Sequence, residues 1–326
     1  MGSDARVTEH TSSSDIRSKA IVSRVHGIVV TYHPEPEKLS VLIDAVDQQV
    51  ERIVIVDNGS TEMRNWLRET AVRRGCDLRE LDHNVGVAAA HNVGIATARA
   101  GGADAVLLLD QDSLPAPDMV AALRLALGEL VAAGERIAAV GPCHIDQRTK
   151  TQSPFIRFGF LANDHLYCAS TRPESTIRCD HLITSGSLIP IAALDDIGEL
   201  EEDLFIDNVD TEWCFRALAK GYHLFGVCSA QMSHGVGETL LDTWLPFSRA
   251  VVVHAPLRLY YITRNHMLLY QRSYAPSTWI LQDVPRLAFK SVLFATSVKP
   301  RSRNLSMIVK GLWDGVRGKT GPYQSR

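Results

Sequence analysis

The sequence predicts an α/β fold: a Rossmann-like, mostly parallel sheet flanked by helices, followed by a basic helical C-terminal segment. Three observations predict it. Apolar runs of strand length alternate with helix-spaced segments from Val25 to Leu109. Polar and acidic clusters stand where each of those strands should end. Residues Arg258 to Arg326 carry 12 Lys+Arg against 2 Asp+Glu, a local balance of +10, while the rest of the chain balances at −13.

Residues 1–19 are polar and rich in Ser and Thr, with no apolar core, and read as a mobile tail. Val25 to Thr31 is a buried strand stopped by Tyr32-His33-Pro34. Leu39, Leu42, Ile43 and Val46 have the spacing of an amphipathic helix. Arg52 to Val56 is a second strand and ends at the turn Asp57-Asn58-Gly59-Ser60, before a helical stretch. Leu78 to Leu81 is a short third strand. Gly86 to Arg99 is Ala-rich and helical, and Ala105 to Leu109 is the fourth strand. Such alternation implies a parallel sheet that brings the four strand ends to one rim.

Beyond Pro115 the alternation loosens. We expect a helix over Pro117 to Ala133, short strands near Ile137–Val140 and Ile183–Ile189, a helix over Asn208 to Lys220 and a strand over Tyr222 to Val227. The division that follows is a nucleotide-binding part, 20–114, an acceptor and catalytic part, 115–250, and the basic segment, 251–326.

Hydrophobic content of 45% supports a sizeable core. The six cysteines show no Cys-x-x-Cys spacing, so reduced thiols in a cytosolic protein are expected, without a zinc site. The longest apolar candidate for a membrane span, Leu281 to Val298, is broken by Asp283, Pro285, Arg286 and Lys290. No Gly-x-Gly-x-x-Gly follows the first strand, which argues against a dinucleotide-dependent dehydrogenase. Nothing points to a nucleic-acid partner.

The chemistry concentrates at the strand ends. Asp110-Gln111-Asp112-Ser113 closes the fourth strand with two carboxylates one residue apart. Such a pair repels itself unless a cation intervenes, and its hard oxygens suit Mg²⁺ or Mn²⁺ holding substrate phosphates. Asp57 is placed to accept from a base N–H, and Gly86 opens a helix whose N–H groups suit a phosphate or ribose. Singly, each is an ordinary turn; together they point to a nucleotide diphosphate. Further on, Asp203, Asp207, Asp210 and Glu212 are interleaved with Leu204, Phe205, Ile206 and Trp213. That mixture suggests a carboxylate in a low-dielectric cleft, with a pKa raised toward general-base use. His234, among small residues, is a candidate metal ligand beside the Asp pair.

In order, the stretches Gly27 to Tyr32, Val56 to Ser60, Asn84 to Ile95, Leu109 to Ser113, Thr184 to Ser187, Leu204 to Arg216 and His254 to Asn265 resemble glycosyltransferase family two enzymes of GT-A fold. Phe-Ile-Asp-x-Val-Asp-x-Glu and Arg-x-Tyr-Tyr-x-x-Arg-Asn resemble the bacterial rhamnosyltransferases within it. The resemblance covers roughly Val25 to Lys319. It implies that Thr31 and Asp57 hold a pyrimidine base, that Asp110 contacts ribose or metal, and that Asp112 binds the metal. It implies Asp210 as the catalytic base and His234 near the diphosphate. Tyr32, Gly59, Asn84, Gly86 and Asn92 complete the nucleotide site, while Ser185, Asp207, Glu212 and Arg264 fall to the acceptor or diphosphate. Many relatives have Arg before the Asn of the Asn92 motif, where this chain has His91.

The implied activity is inverting transfer of L-rhamnose from dTDP-L-rhamnose to a hydroxyl of a glycan or lipid-linked acceptor, with Mg²⁺ or Mn²⁺, in cell-surface polysaccharide or glycolipid synthesis. Two alternatives stand beside it: another nucleotide sugar on the same scaffold, and a non-catalytic sugar-nucleotide or glycan-binding module. The expected location is the cytoplasm, peripheral at the inner face of the cytoplasmic membrane. The basic segment either faces an anionic membrane surface or packs its apolar face on the catalytic domain or on a second subunit in a homo-oligomer.

Overall fold

In the computed structural model the described residues are 22–146, 151–169, 171–172, 175–234, 240–242 and 250–324. Strand β1 (Val25–Thr31) is buried along its whole length. Its alternate side chains part to two cores, Ile28 and Val30 to one and Val25 and Val29 to the other. Strands β2 (Arg52–Asp57), β3 (Asp77–Glu80) and β4 (Ala105–Asp110) extend the sheet in parallel, in the order β3-β2-β1-β4.

The connecting helices cover both faces, as parallel crossovers require. Helices α1 (Pro36–Asp47) and α2 (Arg64–Arg74) bury Leu39, Leu42, Ile43, Val46 and Leu67 in one core. Helix α3 (Val87–Ala100) buries Ala88, Ala90, Ile95 and Ala98 in the other. Strand β5 (Ser113–Pro115) and helix α4 (Met119–Ala132) follow, and then β6 (Ile137–Asp146). The short strands β7 (Phe155–Arg157), β8 (Asp164–Leu166), β9 (Thr176–Cys179) and β10 (Leu188–Pro190) come next. Helices α5 (Ile191–Ile197) and α6 (Val209–Ala219) precede β11 (His223–His234). The sheet continues β4-β10-β6-β11-β5, with β10 antiparallel to both its neighbours and β9 paired to β11. Strands β12 (Leu240–Asp242) and β13 (Ala250–Val252) form a separate pair.

Two expectations need correction. The strand expected over Ile183–Ile189 starts only at Leu188, because Thr184 to Ser187 forms a turn against β4. Gly186 N–H donates to the Leu108 carbonyl at 2.7 Å and Leu108 N–H to the Ser187 carbonyl at 3.1 Å. The cysteines are not all thiols either: Cys168 and Cys228 form a disulfide, while Cys76, Cys143, Cys179 and Cys214 are free.

The C-terminal segment is three helices, α7 (Pro256–Tyr270), α8 (Ser277–Thr296) and α9 (Arg301–Val316). Leu268, Leu269 and Trp279 join the core that also holds α3, α5 and α6. Helix α9 lies hard against α7. A Cβ on Gly311 would stand 2.1 Å from Thr263 Oγ1, and one on Gly315 2.6 Å from the Arg264 carbonyl oxygen. Among the described residues no helix is long and apolar enough to cross a membrane.

Candidate active site

Strand register brings the first residues of the site together. Thr31 of β1 pairs with Asp57 of β2, and Val30 pairs with Asp110 of β4, so the three strand ends are neighbours on one rim. Thr31 and Asp57 have no exposed surface, and the Thr31 hydroxyl has no hydrogen-bond partner. An orphaned buried hydroxyl beside a buried carboxylate is costly unless a ligand completes it. The Asp57 carboxylate accepts the Ser60 N–H at 3.1 and 3.2 Å and retains further acceptor capacity. Tyr32 is 45% exposed and its backbone N–H donates to Gln111 Oε1 at 2.8 Å, which ties the β1 end to the carboxylate loop.

The glycines and asparagines of the rim shape the chain around it. Asn58 Oδ1 accepts the Val85 N–H at 2.9 Å, and Asn84 Oδ1 accepts the Gly86 N–H at 2.9 Å and the Asn58 side-chain amide at 3.2 Å. Gly59 (φ 94°) lies where a Cβ would meet the His83–Asn84 backbone. At Gly86 (φ 96°) a Cβ would meet the Phe205 carbonyl oxygen at 2.6 Å. The expectation of free N–H groups at the start of this helix is corrected at its first positions. Gly86 N–H is taken by Asn84, and Val87 N–H donates to the Phe205 carbonyl at 2.7 Å. Asn92 also has another task than nucleotide contact. Its amide donates to the Leu200 carbonyl and Glu202 Oε1, both at 2.9 Å, and its oxygen accepts the Leu200 N–H at 3.0 Å. These bonds fasten α3 to the 200–202 loop.

The two carboxylates expected to hold a cation stand at the end of β4 and just beyond it. Asp110 is half-buried and Asp112 is exposed. Ser185 accepts the Asp110 N–H at 3.0 Å and shares a 2.5 Å hydrogen bond with Ser113, so it positions this loop from a fully buried place. Antiparallel pairing sets the His234 backbone opposite Ser113, next to Asp112 in register. Among the described residues no three His, Cys, Asp or Glu side chains converge as a metal site. Two carboxylates from the chain, with phosphate and water oxygens completing the shell, is nevertheless a donor set that fits Mg²⁺ or Mn²⁺.

Asp210 stands in the first turn of α6, where the helix dipole favours a negative charge. Its side chain is 26% exposed and lines a small cavity together with Leu108, Thr184 and Ser187, which places it beside the end of β4. Thr211 N–H donates to Asp210 Oδ1 at 2.7 Å, and His181 Nε2 lies 3.7 Å from Oδ2. Burial pushes this carboxyl up, but the hydrogen bonding and charge of His181 and the Thr211 donors outweigh it and hold the group below the ordinary carboxylate value. The raised carboxyl pKa expected within this segment is therefore not found at Asp210. It is found at Asp207, where burial prevails over the opposing Arg258 guanidinium, 3.0 Å away.

The segment before Asp210 is strained. Phe205, Asp207 and Asn208 all have positive φ, 65°, 63° and 62°. Helix α7 holds them there. The Asn265 amide nitrogen donates to the carbonyls of Leu204 (3.0 Å), Ile206 (2.7 Å) and Asp207 (2.9 Å). Arg264, fully buried, donates to the Leu204 carbonyl at 2.8 Å and packs its guanidinium over Tyr261. The structure thus puts Arg264 behind the site as a support for the loop. Glu212 is also withdrawn: it is fully buried, bonded to Arg216 at 2.7 and 2.9 Å and to the Tyr274 hydroxyl at 2.6 Å. The polar groups of both are engaged within the protein.

Sequence reasoning missed His181, Asn58, Thr211, Arg258 and Asn265. Asn265 was legible as the last residue of the Arg-x-Tyr-Tyr-x-x-Arg-Asn stretch. His181 lies 29 residues before Asp210 with no spacing to mark it. His91 is buried on α3 with both ring nitrogens unpartnered, and burial pushes its pKa down to about 4.

Known proteins resemble this chain in sequence and in fold. The family model described as Glycosyl transferase family 2 matches residues 27–182. A dTDP-rhamnosyl transferase, RfbF of Shigella flexneri, is 27% identical over 304 residues, covering 92% of this chain and 97% of that protein. Among solved structures, GalNAc-T7 with UDP, GalNAc and Mn²⁺ superposes with a TM-score of 0.58 at 13% identity, over 88% of this chain and 55% of that one. This chain therefore spans about half the length of that structure. Residues 1–349 of S. aureus TarS with UDP superpose with a TM-score of 0.53 at 12% identity, over 91% and 92%. At such identities the structural likeness speaks for the fold. Residues 27–182 thus resemble glycosyl transferase family 2, and the chain is a glycosyltransferase with the fold of GT-A enzymes.

Proposed function

We propose that the protein is an inverting rhamnosyltransferase. It moves L-rhamnose from dTDP-L-rhamnose to a hydroxyl of a glycan or lipid-linked acceptor in cell-surface polysaccharide or glycolipid synthesis. The observation that carries the donor half is the pairing of the unpartnered Thr31 hydroxyl with the Asp57 carboxylate at adjacent, buried strand ends. A thymine or uracil ring offers an N–H flanked by carbonyls. Asp57 accepts from that N–H and Thr31 donates to a carbonyl. The likeness to a dTDP-rhamnosyl transferase over 92% of the chain supports thymidine and rhamnose.

Asp210 takes the acceptor hydroxyl proton as that oxygen bonds to the anomeric carbon. The bond from that carbon to the diphosphate oxygen breaks on the opposite side, so configuration inverts. The transition state has oxocarbenium character, as in glycoside hydrolysis. Held below the usual carboxylate value, Asp210 is ionised and ready to accept a proton across the physiological range. Thr211 and His181 orient its two oxygens. Asp110 and Asp112, with His234 in register beside them, would hold Mg²⁺ or Mn²⁺. Such an ion, when bound, supplies positive charge to the leaving diphosphate. The basic C-terminal segment supports a peripheral position at the inner face of the cytoplasmic membrane.

Thermal unfolding with dTDP, UDP and GDP, each with and without Mn²⁺, tests the donor site. A ligand at 100 times its Kd stabilises by about 2.7 kcal/mol. The expected order is dTDP and UDP well above GDP, with Mn²⁺ enlarging the shift, followed by slow hydrolysis of dTDP-L-rhamnose without acceptor. Equal shifts for the purine nucleotide, or no hydrolysis, would overturn the reading.

A further inference from the structure

Helix α9 turns an apolar strip to the outside. Its inner side is Asn304, Ile308, Gly311 and Gly315, buried against α7 and α8. Its outer side is Leu305, Val309, Trp313 and Val316, each 49–58% exposed. At 3.6 residues per turn these four occupy roughly a quarter of the circumference. By the same geometry Arg301 borders the strip on one side and Arg317 on the other, with Arg303 about 40° beyond Arg317. The Arg317 guanidinium carbon sits 4.1 Å from the centre of the Trp313 ring. Helix α8 likewise exposes Leu281, Val284, Phe289 and Val292, with Arg286 on one side of them.

We propose that this outer strip of α9 docks on an anionic lipid surface. An apolar strip flanked by arginines, with a tryptophan at its edge, sinks its side chains into the acyl boundary while the cations meet headgroup phosphates. A second copy of the chain is a poor occupant. A two-fold contact through α9 would set Arg301, Arg303 and Arg317 of each copy against the same residues of the other. The only carboxylates of the segment do not offset this. Asp283 is bonded to Tyr270 and paired with His266, and Asp314 is bonded to Tyr260 and Lys319. The face is also one helix removed from the site, because α9 packs on α7 and α7 holds the loop before Asp210. Docking would supply the surface for the membrane position inferred above, but its test needs no transfer activity.

The test is co-sedimentation of the full chain with phosphatidylcholine vesicles, with and without phosphatidylglycerol. Binding is expected only to the anionic vesicles and should fall steeply between low and physiological salt. At ~1 kcal/mol per cation, Arg301→Glu with Arg303→Glu should lower the vesicle affinity at least about tenfold. Leu305→Ser with Trp313→Ser should do the same with the melting temperature unchanged, since both side chains are exposed. No pelleting with anionic vesicles at low salt would overturn the proposal, as would affinities unmoved in both variants. A dimer in solution that Trp313→Ser dissociates would assign the face to a second copy instead.

Discussion

His181 Nε2 lies 3.7 Å from Asp210 Oδ2, with the Thr211 hydroxyl 3.3 Å from the same nitrogen. The imidazole is one of the groups that holds the Asp210 carboxyl below its ordinary value against the opposite pull of burial. In His181→Ala the burial effect remains and the main opposing partner is gone. The Asp210 pKa should therefore rise, and the acidic limb of the kcat/KM profile should move to higher pH. A pH–rate profile of the two proteins measures this. An unmoved limb with reduced activity would leave His181 as packing alone.

Asp210→Asn keeps the shape and loses the basicity. General-base assistance is typically worth ~10²–10⁴ in rate, so turnover should fall by about that factor. Binding of dTDP, measured by calorimetry, should be unchanged. Near-normal turnover would move the base role to Asp207, whose carboxyl burial holds above its ordinary value.

Asp57→Ala should weaken dTDP and UDP in parallel, because both bases present the same ring N–H to the pocket. A lost hydrogen bond to a charged acceptor is worth about 1.5–3 kcal/mol, a tenfold loss or more. Unchanged affinity for both nucleotides would leave Asp57 as the acceptor of the Ser60 N–H and nothing else.

Asn265→Leu removes the donor to three carbonyls of the 204–207 segment. The buried carbonyls lose their partner, at about 1–3 kcal/mol for an unsatisfied group. The positive φ angles of Phe205, Asp207 and Asn208 lose their support as well. Denaturant unfolding should show a lower midpoint, and kcat should fall more than dTDP affinity, since the donor rim is built on other strands. Equal losses in both would mean that the segment serves the nucleotide too.

His91 is buried without a partner and titrates near 4 in the folded protein, against an ordinary 6.5. The unfolded chain therefore binds the proton more readily. Stability is full above about pH 6.5, declines as pH falls through that value, and stops declining on this account near pH 4. A shift of this size corresponds to ~3 kcal/mol. His91→Leu should flatten the decline over that window without loss at pH 7.5, because an apolar residue leaves no polar atom unpaired. Unfolding curves at several pH values will show it. A decline as steep as in the parent would mean that other groups govern it.

The sequence by itself determined the parallel half of the sheet and the rim at its strand ends. Period-two apolar runs and helix-spaced apolar residues are local signals, and parallel crossovers follow from their alternation. That is why Thr31, Asp57 and Asp110 could be assigned to one rim before their register was known. The roles of Asn92, Glu212 and Arg264 were not legible in the same way, because a polar residue inside a motif reads alike whether it faces a ligand or a backbone carbonyl. Only packing decided that Asn92 fastens α3 to Leu200, that Glu212 is spent on Arg216 and Tyr274, and that Arg264 supports the loop at Leu204. The Cys168–Cys228 bridge joins residues 60 apart, and His181 meets Asp210 from a segment 29 residues earlier. Even the direction of the Asp210 shift lay outside the sequence. Burial alone would raise it, and the imidazole that reverses the sign arrives only when the chain folds.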